Sequence, residues 1–383
     1  MPPSISGGPD TPRAATPPTA TASPSSPPTP TPSRPTGRIR ATSGRTWRPA
    51  SCRPTTSTRG LPSSLEHEQV RRGSAVKHAV VTGATNGIGE AIARGLAGPG
   101  RMVTLVGRSD SRLRAARDRI AAEVPGAELA LARADFAELD EVRGLAEGLS
   151  AGPPPDVVVS NAAVVAPVDR MTSAGLPRML TINYLAPYLL LRTLSAMVDH
   201  ARLIIIGSDP VLLAHEPVDL DDIICADPER LGEHTGLWPY YGYARSKNMN
   251  TMFAHALARR LDGTGVTVNV CHPGTIAGTG LGTEAPGLGP IIVRAHRDGI
   301  LPQPGPQPGV GRWEHGRSDP AELPGPEVGA RTPIWLAVSP ELDGITGRFY
   351  AGRTPVEPAP HTTDPERCER LWRETAALVG LAP

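Results

Sequence analysis

The 383-residue sequence predicts an α/β fold: a doubly wound parallel sheet of about seven strands, flanked by helices. Three observations carry that prediction. Between His78 and Tyr350, short apolar runs alternate with segments of helical period, the pattern of consecutive βαβ units. The runs are almost continuously apolar, as strands covered on both faces require. The first of them leads straight into a glycine-rich turn and an apolar-periodic helix.

In order, His78–Thr82 reads as a short buried strand, Gly83–Gly89 as a loop, and the stretch through Leu96 as a helix. Met102–Val106 is the second strand and Ser109–Ala122 a polar-faced helix. Leu129–Ala132, Leu139–Leu149 and Asp156–Ser160 follow as strand, helix and strand. A long helix is expected over Leu176–Val198, a fifth strand over Leu203–Ile206, a helix over Tyr241–Leu261 and a sixth strand over Val266–Val270. Two stretches break the rhythm: an acidic insertion at Asp209–Pro239 and a Pro- and Gly-rich loop at Thr283–Gly329. Structureless stretches of that length are lids or disordered segments. Pattern returns as a helix at Pro333–Val338, a seventh strand at Gly347–Tyr350 and a terminal helix at Cys368–Leu381. The nucleotide-binding domain is thus expected at 76–355, with long loops at 209–239 and 283–329, followed by an extension at 356–383.

The 44 prolines and 41 glycines exceed ordinary usage, so part of the chain is expected not to fold. Residues 1–75 carry ten arginines against three acids, with no hydrophobic periodicity, and are expected to be a disordered tail. The rest of the chain has a charge of −6, a poor match for a nucleic-acid binder. Cys52, Cys225, Cys271 and Cys368 form no CxxC pair, which argues for a reducing compartment and against a zinc site. No apolar run is long enough to span a bilayer, and no secretory signal opens the chain, so a cytoplasmic protein is expected.

The loop Thr82-Gly83-Ala84-Thr85-Asn86-Gly87-Ile88-Gly89 sits between strand and helix. Its glycines let the backbone turn tightly and approach a pyrophosphate, whose charge the helix N-terminus favours. A plain tight turn would also use glycine, and the spacing is G-x3-G-x-G rather than G-x-G-x-x-G. The second strand ends in Gly107-Arg108. An acid there would take the ribose hydroxyl, whereas an arginine accommodates a 2′-phosphate, so NADP is favoured over NAD. Asp110, two residues on, leaves NAD open, and a solvated loop charge is the plain reading of Arg108.

Tyr243-Ala-Arg-Ser-Lys247 places a phenol and an ammonium at i and i+4 on one helix face. A nearby cation favours the phenolate, lowering the tyrosine pKa and making it a usable general acid or base. Only two of the 39 basic residues are lysine, so a chance Tyr-x3-Lys has a probability of about 3 %. Tyr240 and Tyr241 lack the lysine and read as packing or substrate-loop residues.

From about Lys77 to Tyr350 the chain resembles the short-chain dehydrogenase/reductase family. The residues that carry this are the Thr82–Gly89 loop, Asn161-Ala162-Ala163, Asn183, Ser208, Tyr243 with Lys247, and Pro273-Gly274. The ordered combination is more specific than any one motif. Within the family the chain is most similar to retinol-dehydrogenase-like and WW-domain-oxidoreductase-like members, through Tyr241–Lys247, Leu257–Leu261 and Gly263–Gly274.

That resemblance implies a Rossmann-type fold and an NADP(H)-dependent oxidoreductase, with no protein-bound metal. Tyr243 would exchange a proton with the substrate oxygen, and Ser208 would hydrogen-bond it. Lys247 would bind the nicotinamide ribose and lower the Tyr243 pKa. Asn183 would hold a proton relay to Lys247, Asp135 would contact adenine, and Asn161 would tie the central strands beside the cofactor. Each also has a plain reading: Ser208 as a turn residue, Asn183 as a local hydrogen-bonder, Asp135 as the start of a turn. The chain departs from the family pattern in four places, one being Gly207, which stands beside Ser208 where a hydroxyl pair is common. Ala163 stands where glycine is usual, Ser208 precedes Tyr243 by an extended interval, and the expected phosphate-binding threonine is Thr279 or Thr275.

The segments 163–176, 209–239 and 275–333 would decide the substrate, a hydrophobic alcohol or carbonyl compound such as a retinoid, steroid or polyketide-like ketone. The helices around Tyr188–Val198 and Thr251–Leu261 would offer a homodimer face, or pack within one chain. Two rival readings are a catalytically weak NADP-binding scaffold and a sugar-nucleotide epimerase. The presence of all four catalytic candidates argues against the first, and the glycine spacing argues against the second.

Overall fold

Because successive side chains on a strand point to opposite sides, each strand of the sheet feeds two separate helical layers. In the computed structural model, which describes residues 76–214, 217–303 and 323–383, this is clearest in β5 (His200–Ile206). Leu203 and Ile205 face one core, while Ile204 and Ile206 face the other. The expected tail at 1–75 and part of the expected loop at 283–329 lie outside the described residues.

The sheet has eight strands rather than seven. They are β1 (His78–Thr82), β2 (Met102–Gly107), β3 (Glu128–Arg133), β4 (Val157–Ser160), β5, β6 (Gly265–His272), β7 (Arg348–Ala351) and β8 (Thr354–Val356). Their order is β3-β2-β1-β4-β5-β6-β7-β8, parallel as far as β7. The extra strand, β8, is a three-residue antiparallel edge after the turn that closes β7. The order reverses between β1 and β4, and ligands of such sheets sit at the strand C-termini beside that point.

One layer holds α1 (Gly87–Leu96), α2 (Asp110–Glu123) and a helix over Pro326–Val338. The other holds α3 (Leu139–Ser150), α4 (Ala186–Ser195), α5 (Trp238–Arg260) and a C-terminal helix over Pro365–Leu378. Between α5 and the Pro326 helix lies α6 (Leu288–Arg297), so the C-terminal pair are α7 (Pro326–Val338) and α8 (Pro365–Leu378).

Three expected elements differ. The stretch read as a loop from Thr283 contains α6, whose Gly287, Gly289 and Pro290 had disguised its start. Helix α7 begins at Pro326, not Pro333; Pro333 lies inside it. The single helix expected over 176–198 is a short turn at Arg178–Leu180, a π-helical turn at Thr181–Leu185, and α4. Pro187 explains part of this break, because it has no N–H to offer the Asn183 carbonyl four residues before it. That carbonyl instead accepts from the Asn250 amide at 2.8 Å.

The helix faces expected to meet a second copy are covered from within the chain. Helix α8 lies across α4 and α5: the Tyr184 hydroxyl meets Thr375 at 2.7 Å, Tyr188 donates to the Trp372 carbonyl at 3.0 Å, and Phe253 stacks on Trp372 at 5.9 Å. The guanidinium of Arg260 stands 3.9 Å over the Trp372 ring. Among the described residues no helix is long and apolar enough to cross a membrane.

Candidate active site

The nucleotide loop is held open by hydrogen bonds at its root. The Thr82 hydroxyl, fully buried, accepts the backbone N–H of Asn161 at 2.9 Å and of Ala162 at 3.0 Å. The Asn161 amide donates back to the Thr82 carbonyl at 2.9 Å. The ends of β1 and β4 are thus locked together at the switch point. Gly83 adopts φ +67°, which favours glycine, and Gly89 lies so close to the loop that a Cβ would fall 2.3 Å from the Gly83 carbonyl oxygen. Asn86 caps α1 without a side-chain hydrogen bond, leaving the first N–H groups of the helix to the cleft.

Above this loop lies a cleft of about 700 Å³. Gly83, Asn86, Gly87, Ile88, Gly89, Arg108, Asp135, Asn161, Ala162, Ser208, Tyr243, Lys247, Pro273 and Gly274 all line it. Thr82 and Asn183 do not; both lie behind its wall. Asn183 sits in the π-helical turn, and its amide grips the backbone of Val164, accepting from the N–H and donating to the carbonyl, each at 2.9 Å. It also donates to Ser246 at 3.1 Å, which fixes the loop after β4 against α5.

Tyr243 and Lys247 share one face of α5, as their spacing requires. The ammonium stands 5.6 Å from the phenol ring centroid and donates to the Ile206 carbonyl at 2.8 Å. Ser208 follows β5 and lines the cleft beside Tyr243, its hydroxyl close enough to favour the phenolate. The expected acidification of the phenol is not observed. Burial pushes Tyr243 up to about 12, and the nearby Ser208 hydroxyl only partly offsets it. Burial also pushes Lys247 down to about 8. Desolvation outweighs the attraction of a cation that lies over the ring face.

At the far end of the cleft Arg108 and Arg112 line one side, whereas Asp110 starts α2 and does not line it. Asp135 lines the cleft, and its carboxylate accepts the Ala137 N–H at 2.9 Å to close a turn. Of the two candidate threonines, Thr279 lies in the cleft against Gly87 and Thr275 does not line it.

Sequence reasoning missed Arg112, His272, Leu281 and Glu284. Arg112 was legible, one helical turn after Arg108. Glu284 was not: a single acid in a Gly- and Pro-rich stretch carries no pattern. In the structure it reaches Arg178 at 3.1 Å and Arg108 at 3.6 Å. Val164, Ile182 and Leu281 give the cleft part of its apolar lining. Behind it Tyr240 and Tyr241 pack with Leu288 and Ala295 of α6.

The model of the short chain dehydrogenase family matches residues 77–212. Human retinol dehydrogenase 14 is 29% identical over 322 residues, covering 80% of this chain and 87% of its own. Mouse polyprenol dehydrogenase is 31% identical over 319 residues, covering 79% and 83%. The crystal structure of a blue fluorescent protein from a metagenomic library, in complex with NADPH, is 27% identical with a TM-score of 0.50, covering 71% of this chain and 94% of that one.

Proposed function

Since the chain belongs to the short-chain dehydrogenase/reductase family, oxidoreductases that act on CH–OH or C=O groups with NAD(P), we propose that it transfers a hydride between NADP(H) and a hydrophobic alcohol or carbonyl compound, with Tyr243 as general acid–base. One observation carries this reading: Tyr243, beside Ser208 and sharing a helix face with Lys247, opens onto the cleft that the nucleotide loop borders.

The residues fit the cofactor. The uncapped start of α1 and the left-handed Gly83 turn suit a pyrophosphate. Lys247 suits the ribose hydroxyls, Asp135 the adenine side, and Arg108 with Arg112 a 2′-phosphate. The bound cofactor supplies or takes up the hydride at its nicotinamide ring.

In the reductive direction the Tyr243 phenol, kept protonated by burial across the neutral range, gives its proton to the carbonyl oxygen as negative charge develops there. The Ser208 hydroxyl donates a second hydrogen bond to that oxygen. Asn183 acts from behind the wall. Its amide holds the Val164 loop, and its backbone carbonyl, which accepts from Asn250, would serve a relay toward Lys247. Thr82 acts as a positioning residue for the nucleotide loop. The apolar side chains among the cleft lining, Leu281 among them, support a hydrophobic substrate.

The test is Tyr243→Phe, assayed with NADPH and a panel of hydrophobic ketones and aldehydes. Turnover should fall at least a thousandfold while NADPH binding stays within about twofold. Unchanged turnover would overturn the assignment.

A further inference from the structure

The end of the cleft assigned to the adenosine ribose holds an ion cluster. Arg108 follows β2, Arg178 belongs to the turn before the π-helical segment, and Glu284 lies between β6 and α6. Glu284 donates nothing and accepts from both sides. Its Oε2 takes the Arg178 Nε–H at 3.1 Å and its Oε1 the Arg178 Nη2–H at 3.3 Å. The same Oε1 stands 3.6 Å from Arg108 Nη1. The Glu284 side chain is 18% exposed and Arg178 16%, whereas Arg108 is 50% exposed. The carboxylate is therefore pinned to Arg178, and Arg108 is the arm that can move. Arg112 has no carboxylate ion partner among the described residues.

We propose that Glu284 discriminates between the two nicotinamide cofactors by occupying, on Arg108, the position a 2′-phosphate would take. This deepens the reading that Arg108 meets that phosphate and rests on it. A phosphate binding Arg108 must draw its guanidinium off the carboxylate, which the fork of Arg178 holds close by, where like charges repel. A ribose 2′-hydroxyl carries a donor and can hydrogen-bond the carboxylate instead. Glu284 thus lowers the preference for NADP(H) below what two arginines alone would give.

The experiment titrates the full chain with NADPH and with NADH, following cofactor fluorescence, for wild type, Glu284→Gln, Glu284→Asp, Arg108→Gln and the double variant Arg108→Gln/Glu284→Gln. Glu284→Gln should tighten NADPH about five- to tenfold and leave NADH within about twofold or weaker, and the gain should shrink at high salt. Glu284→Asp, which keeps the charge, should retain the wild-type ratio and so control for disturbance of the loop. The double variant should lose the NADPH gain. If Arg108→Gln weakens NADPH selectively but Glu284→Gln leaves the NADPH/NADH ratio unchanged, the inference is overturned and the Arg108 reading stands. If Arg108→Gln leaves the ratio unchanged, the Arg108 reading falls and this inference with it.

Discussion

Replacing Thr82 with valine tests how the nucleotide loop is held. The substitution keeps the shape of a fully buried side chain and removes one oxygen, which accepts two backbone N–H groups at 2.9 and 3.0 Å. Both donors, on Asn161 and Ala162, then lose their acceptor. A buried donor left unpaired costs about 1–3 kcal/mol; these two are partly buried at the cleft, so together they cost roughly 2 kcal/mol after the gain from the extra methyl is subtracted. No cavity forms, so the loss is a hydrogen-bonding loss. Urea unfolding at 25 °C measures it, with Thr82→Ser as the reference that keeps the oxygen and should lose about 1 kcal/mol. Because the two N–H groups belong to the strand end facing the loop, Thr82→Val should also weaken NADPH binding. A Thr82→Val protein within 0.5 kcal/mol of wild type would refute the reasoning.

Two further outcomes follow from the packing and the buried charges. Lys247 is held near 8 by burial, below the ~10.4 of an unfolded lysine, so between these values the unfolded chain binds more protons and stability rises with pH. Without added cofactor, wild type should therefore gain on the order of 2 kcal/mol over Lys247→Met between pH 8 and pH 10.5; a difference that stays constant with pH would show the lysine is not desolvated. Trp372→Ala should cost about 3–5 kcal/mol in urea unfolding, since the ring contacts Phe253, Tyr188 and two guanidinium groups; a loss under 1 kcal/mol would mean α8 is not part of the cooperative core.

The sheet was legible because buried parallel strands leave an unmistakable apolar run, and the sequence places β1 and β4 within a residue of their observed limits. Helix α5 and the Tyr243–Lys247 pair were legible for the same kind of reason, a local spacing that fixes a shared face. What depends on contacts distant in sequence was not. Thr82 reads as a cofactor contact until its partners 79 and 80 residues away show that its oxygen is already taken. Glu284 becomes notable only beside Arg178, 106 residues earlier. The pKa of Tyr243 was mistaken because spacing reports the neighbouring charge but not how thoroughly water is removed.

Helix α8 has a consequence for biosynthesis. It is translated after every strand of the sheet, yet it covers Tyr184, Tyr188 and Phe253, the last of them about 120 residues upstream. At ordinary ribosome speeds those aromatic rings wait roughly ten seconds for their cover. During that interval the nascent chain presents a greasy flank of the kind chaperones bind, and a message cut short before Pro365 would leave it bare for good.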